Sequence, residues 1–222
     1  VFRLDWNEAM ADLLTRTYQI LHDETGEDED RLAGSAVYAA SVEGALLEYS
    51  RLRPRLLRQQ VTLVAGYDQP YPSAWDAGLS TLVSVEFPPG YQKPRLITHS
   101  GLSTGPNGWR MLNRTHTPGE TAILTYTAPW TQQTLPESLT DGVAHLAASL
   151  VAQAVAAEFG RSDKPAVPVD SVNYRDKADV WRALARDLRQ RGLLMLGIGV
   201  DANGNTVNNP ASRDAVWGWP SW

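Results

Sequence analysis

The chain has no cysteine. That excludes a disulfide framework and thiolate metal sites, and it fits folding in a reducing compartment. No uninterrupted apolar run approaches the roughly 20 residues that span a bilayer, and the N-terminus leads straight into a charged amphipathic segment without a signal-peptide pattern. The expectation is a soluble protein made in the cytoplasm, with no membrane partner. In that setting the Asn113-Arg114-Thr115 sequon carries no meaning. Clustered positive charge is also missing: the net charge is -5, whereas phosphate contacts need grouped Lys and Arg. DNA passing near such a chain is expected to slide by without sticking.

Catalytic signatures are absent as well. His22, His99, His116 and His145 fall in different predicted elements, and none has the HExxH or HxH spacing that gathers a metal. There is no GxSxG elbow, no P-loop and no GxGxxG after a strand; Gly197-Ile198-Gly199 follows a helix and reads as its stop. Asp201, Asn203 and Asn205 mimic the first ligands of a calcium loop. Thr206 replaces the required glycine and Ser212 the bidentate glutamate, so an Asn-Gly turn is the better reading. No catalytic residue, cofactor or metal is expected.

What is present is enough apolar sequence, 43% of 222 residues, for one core with a substantial appended subdomain. Asp5 and Glu8 make a capping-box-like start, and Trp6, Met10, Leu13, Leu14, Thr17 and Leu21 predict a helix over about 5–22. The acidic stretch 23–30 is a solvated loop whose Asp28 can cap a second helix, with Leu32, Ala36, Ala39, Val42, Leu46 and Tyr49 on one face. That helix should stop before Pro54. From Gln60 to Trp130 the spacing changes to short Val-, Thr-, Ile- and aromatic-rich runs, predicting strands near 60–65, 81–87, 94–98, 109–113 and 120–127, with a turn at 104–108. After Leu135-Pro136, the Ala-rich run Val143 to Phe159 predicts a helix closed by Gly160. A Pro-containing linker, 162–169, precedes a last helix from Asp170 or Ser171 to Leu196, completing an αα-hairpin.

The predicted fold class is α+β: a four-helix bundle with an inserted small antiparallel β subdomain and an extended C-terminal arm. Its parts are a helical pair (1–59), the β insertion (60–134), a helical hairpin (135–196) and the arm (197–222). Two features suggest contacts with other proteins. Arg51, Arg53, Arg55 and Arg58 form the densest basic cluster, read either as cations at a helix C-terminus or as partners for an acidic neighbour such as Asp28 and Asp30 of an adjacent copy. Trp217, Trp219 and Trp222 close a polar, Gly- and Asn-rich arm, where they read as anchors for a partner's pockets or as groups folded back on the chain's own core.

Taken together, the order of these elements and several segments resemble the head-tail adaptor (connector) proteins of long-tailed bacteriophages and prophages. The segments are Leu46-Leu47-Glu48-Tyr49-Ser50-Arg51-Leu52-Arg53-Pro54-Arg55, then Tyr71-Pro72-Ser73-Ala74-Trp75-Asp76 with Val85-Glu86-Phe87-Pro88-Pro89-Gly90, Thr125-Tyr126-Thr127-Ala128-Pro129-Trp130, and Asp170-Ser171-Val172-Asn173-Tyr174-Arg175. The resemblance covers about Leu4 to Gly199. It implies a structural virion protein of the neck, assembled in the host cytoplasm as a ring on the dodecameric portal protein. Such a ring extends the DNA channel and offers a surface to the stopper or tail-terminator protein, while genomic DNA passes without specific binding. It carries over no catalytic set. Two rivals remain: a stopper or tail-completion ring, and a small hydrolase or carbohydrate-binding module built on Tyr67, Tyr71, Trp75 and Trp109. An exposed aromatic cleft with two convergent carboxylates would favour the last.

Overall fold

The structure is a computed structural model that describes residues 6–25, 35–112, 114–161, 174–201 and 206. It is an α+β protein with two compact units. One comprises Val1–Leu46 with Thr131–Trp222, the other Leu47–Trp130.

Among the described residues, four helices define the first unit: α1 (Trp6–Thr25), α2 (Ser35–Leu52, whose last turns belong to the second unit), α3 (Glu137–Arg161) and α4 (Tyr174–Met195). Each contributes to one core, with Leu21 from α1, Tyr38 from α2, Val151 and Val155 from α3, and Trp181 and Leu188 from α4. In α1 the buried Leu13, Thr17 and Leu21 recur every four residues, and the Thr17 hydroxyl donates to the Leu13 carbonyl at 2.8 Å, so its burial leaves nothing unpaired. Helix α3 begins at Glu137, ahead of the Ala-rich run from Val143, where Pro136 opens the turn and its carbonyl accepts from the Leu139 amide at 2.9 Å. It is also long and apolar enough to cross a bilayer by length and composition, which qualifies the expectation from uninterrupted runs; 61% of its most apolar window is buried within the protein.

Helices α3 and α4 pack antiparallel. The start of α3 meets the end of α4 where Gly142 faces Leu196 and Gly192, and at the opposite end the Lys177 ammonium lies 5.8 Å from the Phe159 ring centre. A Cβ on Gly192 would fall 2.9 Å from the Gly142 carbonyl oxygen and 3.1 Å from the Leu146 nitrogen, both backbone atoms that cannot swing away. Gly192→Ala is therefore expected to destabilise by about 1–2 kcal/mol, the steric cost outweighing the better helix propensity of Ala. Gly160→Ala, whose new Cβ would meet just the end of the Arg182 side chain at 3.5 Å, should be neutral or stabilising. Urea denaturation of both variants checks this; equal midpoints would show that the close approach carries no cost. The stop at the end of α4 is the one expected. Gly197 takes φ 66°, its amide reaches the Leu194 carbonyl at 2.9 Å and the Ile198 amide the Leu193 carbonyl at 2.8 Å, a Schellman pair with Ile198 buried.

The second unit is built on β1 (Arg55–Thr62), β2 (Leu82–Glu86), β3 (Leu96–Ile97), β4 (Leu102–Gly105), β5 (Gly108–Met111) and β6 (Thr121–Ala128). A four-stranded sheet runs β1-β6-β2-β3, and β4-β5 is a separate hairpin. Neighbouring strands are antiparallel throughout. Two expectations need correction. The first strand starts at Arg55, not near 60, and the glycine-rich stretch expected as a turn at 104–108 is narrower, because Leu102–Gly105 pairs with Gly108–Met111. Along β6 burial alternates: Ala122, Leu124 and Tyr126 join Leu63, Val85, Phe87 and Trp109 in the core of this unit.

Burial pushes the phenols of Tyr49 and Tyr126 above their ordinary value of 10.0, opposed by Arg53 and Arg55 respectively. A raised folded pKa means that the unfolded chain loses these protons first. The stability they contribute is complete below about pH 10 and is lost as the pH climbs past it. The urea midpoint is expected to fall as the pH rises above about 10, with a shallower fall in Tyr49→Phe. An unchanged slope in that variant would remove Tyr49 from the account.

Candidate assembly surfaces

The loop from Leu63 to Thr81 is fixed by a few polar side chains. Gln69 is buried; its Oε1 accepts from the Val64 amide at 2.7 Å and its Nε2 donates to the Val64 and Gly66 carbonyls at 3.2 and 3.1 Å. Its backbone pairs in both directions with Trp109, at 2.7 and 3.0 Å. His116 Nε2 lies 3.1 Å from the Val64 carbonyl, so this histidine closes the same loop. Asp76 caps the next turn, its Oδ1 accepting from the Gly78 and Leu79 amides at 2.8 and 3.0 Å. These contacts explain how a long segment without regular structure is held in place.

The four aromatic residues of the hydrolase or carbohydrate reading do not form one exposed platform. Trp109 is 1% exposed and donates its indole N–H to the Pro70 carbonyl at 3.2 Å. Tyr71 and Trp75 stack on each other at 4.2 Å, with Trp75 lying 5.9 Å from Tyr126, as part of the packing of this unit. Tyr67 is 78% exposed. The neighbouring carboxylates have structural partners: Asp76 caps its turn and Asp68 pairs with Arg110 at 3.0 Å. Among the described residues, no three or more His, Asp or Glu side chains gather as a metal-binding group. His145 Nδ1 lies 2.8 Å from the Asp141 carbonyl one turn earlier in α3.

The arginines expected as one cluster are separated by the early start of β1. Arg51 is exposed at the end of α2, while the Arg53 carbonyl accepts the Trp130 indole N–H at 2.7 Å. Within β1 successive residues alternate faces. Arg55 pairs in register with the buried Ala128, whereas Arg58 pairs with Thr125 on the opposite face. There Arg58 reaches across β6 to Glu86 at 2.5 Å, and a second Glu86 oxygen accepts from the Gly90 amide at 3.2 Å. The Glu86 side chain is 5% exposed and that of Arg58 62%, so the guanidinium neutralises a buried carboxylate from the surface. Arg58→Met is expected to cost about 1–3 kcal/mol by leaving Glu86 underpaired, and Arg58→Met with Glu86→Gln less than that. Additive losses in a double-mutant cycle would contradict the coupling.

Charge is divided between the units. Leu47–Trp130 holds eight Lys and Arg against five Asp and Glu, and the rest of the chain twelve against twenty, giving +3 and -8. Within the helical unit, Arg16 pairs with Asp141, and Arg191 pairs with Glu24 at 2.5 Å and Asp187 at 2.6 Å. These exposed pairs tie α1 to the hairpin at little net energy. Asp28, Asp30, Trp217, Trp219 and Trp222 lie outside the described residues, as do Asn203 and Asn205. Val200 is bridged to Thr206.

One surface feature had no signal in the sequence. Between α2 and α3 an open groove of about 430 Å³ is lined by Ala36, Val37, Ala40, Ser41, Leu150 and Ala154. Small side chains spaced four apart leave the two helices without filling the space between them.

No family model matches this sequence, and no curated protein does. A search of solved structures finds a chain of the virion of a native gene transfer agent particle, 16% identical, covering 78% of this chain and 88% of that chain with a TM-score of 0.26. A TM-score of that size does not establish a common fold.

Proposed function

We propose that this chain is a structural protein of a phage-type virion, acting as the head-tail adaptor that forms a ring below the portal. The observation that carries this reading is the architecture. Two N-terminal helices, an inserted antiparallel β unit and an antiparallel helical hairpin follow in the order of the adaptor family that the sequence resembles. The segment 71–90, part of that resemblance, is a packed loop and strand held by internal contacts, consistent with a scaffold and not a cleft.

Assembly needs no chemistry, just unlike surfaces that meet head to tail and close. A basic unit and an acidic unit in each copy give such contacts a sign: Arg51 and its neighbours facing carboxylates of the next copy would set register and speed association more than add affinity. Around a ring, a charge of -5 per copy weakens contacts to phosphate, so DNA moves through unhindered. The direct test is to delete the chain from the particle that encodes it. Filled heads without tails, rescued by the chain supplied in trans, are the expected result. Tailed, infectious particles in its absence would refute the role.

A further inference from the structure

We propose that the groove between α2 and α3 receives a tryptophan from the C-terminal arm, Trp217–Trp222, of a second copy of this chain. The inference rests on the ring reading and names a contact that would close the ring. The groove walls are the apolar side chains of Ala36, Val37, Ala40, Leu150 and Ala154, and its volume of about 430 Å³ lies in the range of pockets that hold a small organic group. One polar group interrupts those walls. Ser41 is 7% exposed, lines the groove, and makes no side-chain hydrogen bond among the described residues. In the open groove that hydroxyl can bond water, so an occupant that covers it must supply a partner in water's place.

The occupant that fits is a broad apolar ring bearing one N–H. An indole meets both demands, covering the alanine and leucine walls while its N–H donates to Ser41 Oγ. A leucine or phenylalanine would fill the groove and leave the hydroxyl unpaired. The arm supplies three indoles within six residues.

Its reach allows a second copy. At the end of α4, Leu196 packs beside Gly142. From there Leu150 is two turns along α3, on the order of 12 Å. The eleven residues from Thr206 to Trp217 extend to on the order of 38 Å. That is long enough to reach a groove on the next copy. The groove and the end of the hairpin are different surfaces of one chain, so the exchange is head to tail and repeats around a ring.

Because the native chain has no cysteine, an introduced pair reports the contact alone. The test uses the full-length chain carrying Ala40→Cys with either Gly218→Cys or Ser221→Cys, which leave all three arm tryptophans in place, under mild oxidation. The expected result is a ladder of covalent multimers on a non-reducing gel. It should be lost when Trp217, Trp219 and Trp222 are all changed to Ala, slowed several-fold by Ser41→Ala, and absent when Ala183→Cys on the exposed side of α4 replaces Ala40→Cys. A linked monomer would overturn the proposal by placing the arm on its own groove. No linkage in a preparation whose images show rings would overturn it while leaving the adaptor reading intact. No linkage together with a monomer at every concentration would remove both.

Discussion

Removal of residues 207–222 is expected to leave a folded subunit that cannot join heads to tails. Cutting after Thr206 keeps its bridge to Val200 and the Gly197–Ile198 stop of α4. Far-UV circular dichroism and the urea midpoint should match those of the full chain. On the adaptor reading the arm would contribute through assembly: three tryptophans in a short polar stretch are costly to leave in water, and each one anchored on a neighbour or on the portal would contribute roughly 2 kcal/mol. Electron microscopy of particles made with the truncated chain should show filled, tailless heads. Tail attachment at the wild-type level would make the arm dispensable.

Gly108→Ala should have the largest effect on stability of any single substitution considered. Gly108 has φ +150°, and a Cβ there would sit 2.2 Å from the Gln69 carbonyl oxygen and 3.0 Å from its carbon. The backbone of Gln69 cannot retreat without breaking its two hydrogen bonds to Trp109 and withdrawing the amide that secures Val64 and Gly66. The expected cost is about 3 kcal/mol or more, with loss of the near-UV signal of Trp109 and rapid proteolysis in the 63–81 loop. Gly119→Ala is the control. Its φ is +94° but no atom lies within 4 Å of the added Cβ, so backbone strain alone should cost about 1 kcal/mol. Equal losses in the two variants would show that the packing against Gln69 is not the cause.

The features that could be read from sequence were those set by local periodicity. Strand β6, β-branched and aromatic with burial that alternates up to Tyr126, lies within a residue of its expected place, and the glycine that ends α4 does what its position implied. The helical hairpin was legible from two apolar faces and a short link. Strand β1 was misread because its core contacts, Leu57 and Val61, are interleaved with Arg55, Arg58, Gln59 and Gln60, a composition that resembles a basic helix end more than a strand. That error carried into the site, since alternation sends Arg55 and Arg58 to opposite faces and gives Arg58 an internal partner. Strand β4, Leu-Ser-Thr-Gly, has no pattern of its own and exists through pairing with Gly-Trp-Arg-Met. Gln69 and Ser41 were passed over for a different reason: a polar residue's importance depends on what surrounds it once buried, and one-dimensional spacing does not carry that information.

The division of charge follows from the same limit. A net charge of -5 describes neither unit, since +3 in the β unit and -8 elsewhere are recovered once the fold supplies the boundary at Leu47 and Trp130. If copies associate head to tail as proposed, units of opposite charge would give that association a sign and a salt dependence.

Negative-stain imaging of the purified full-length chain mixed with its portal protein tests the central claim most directly. The account predicts closed rings of this chain, stacked coaxially on the portal with an open central channel. A monomer that leaves the portal bare at every concentration tried would contradict it.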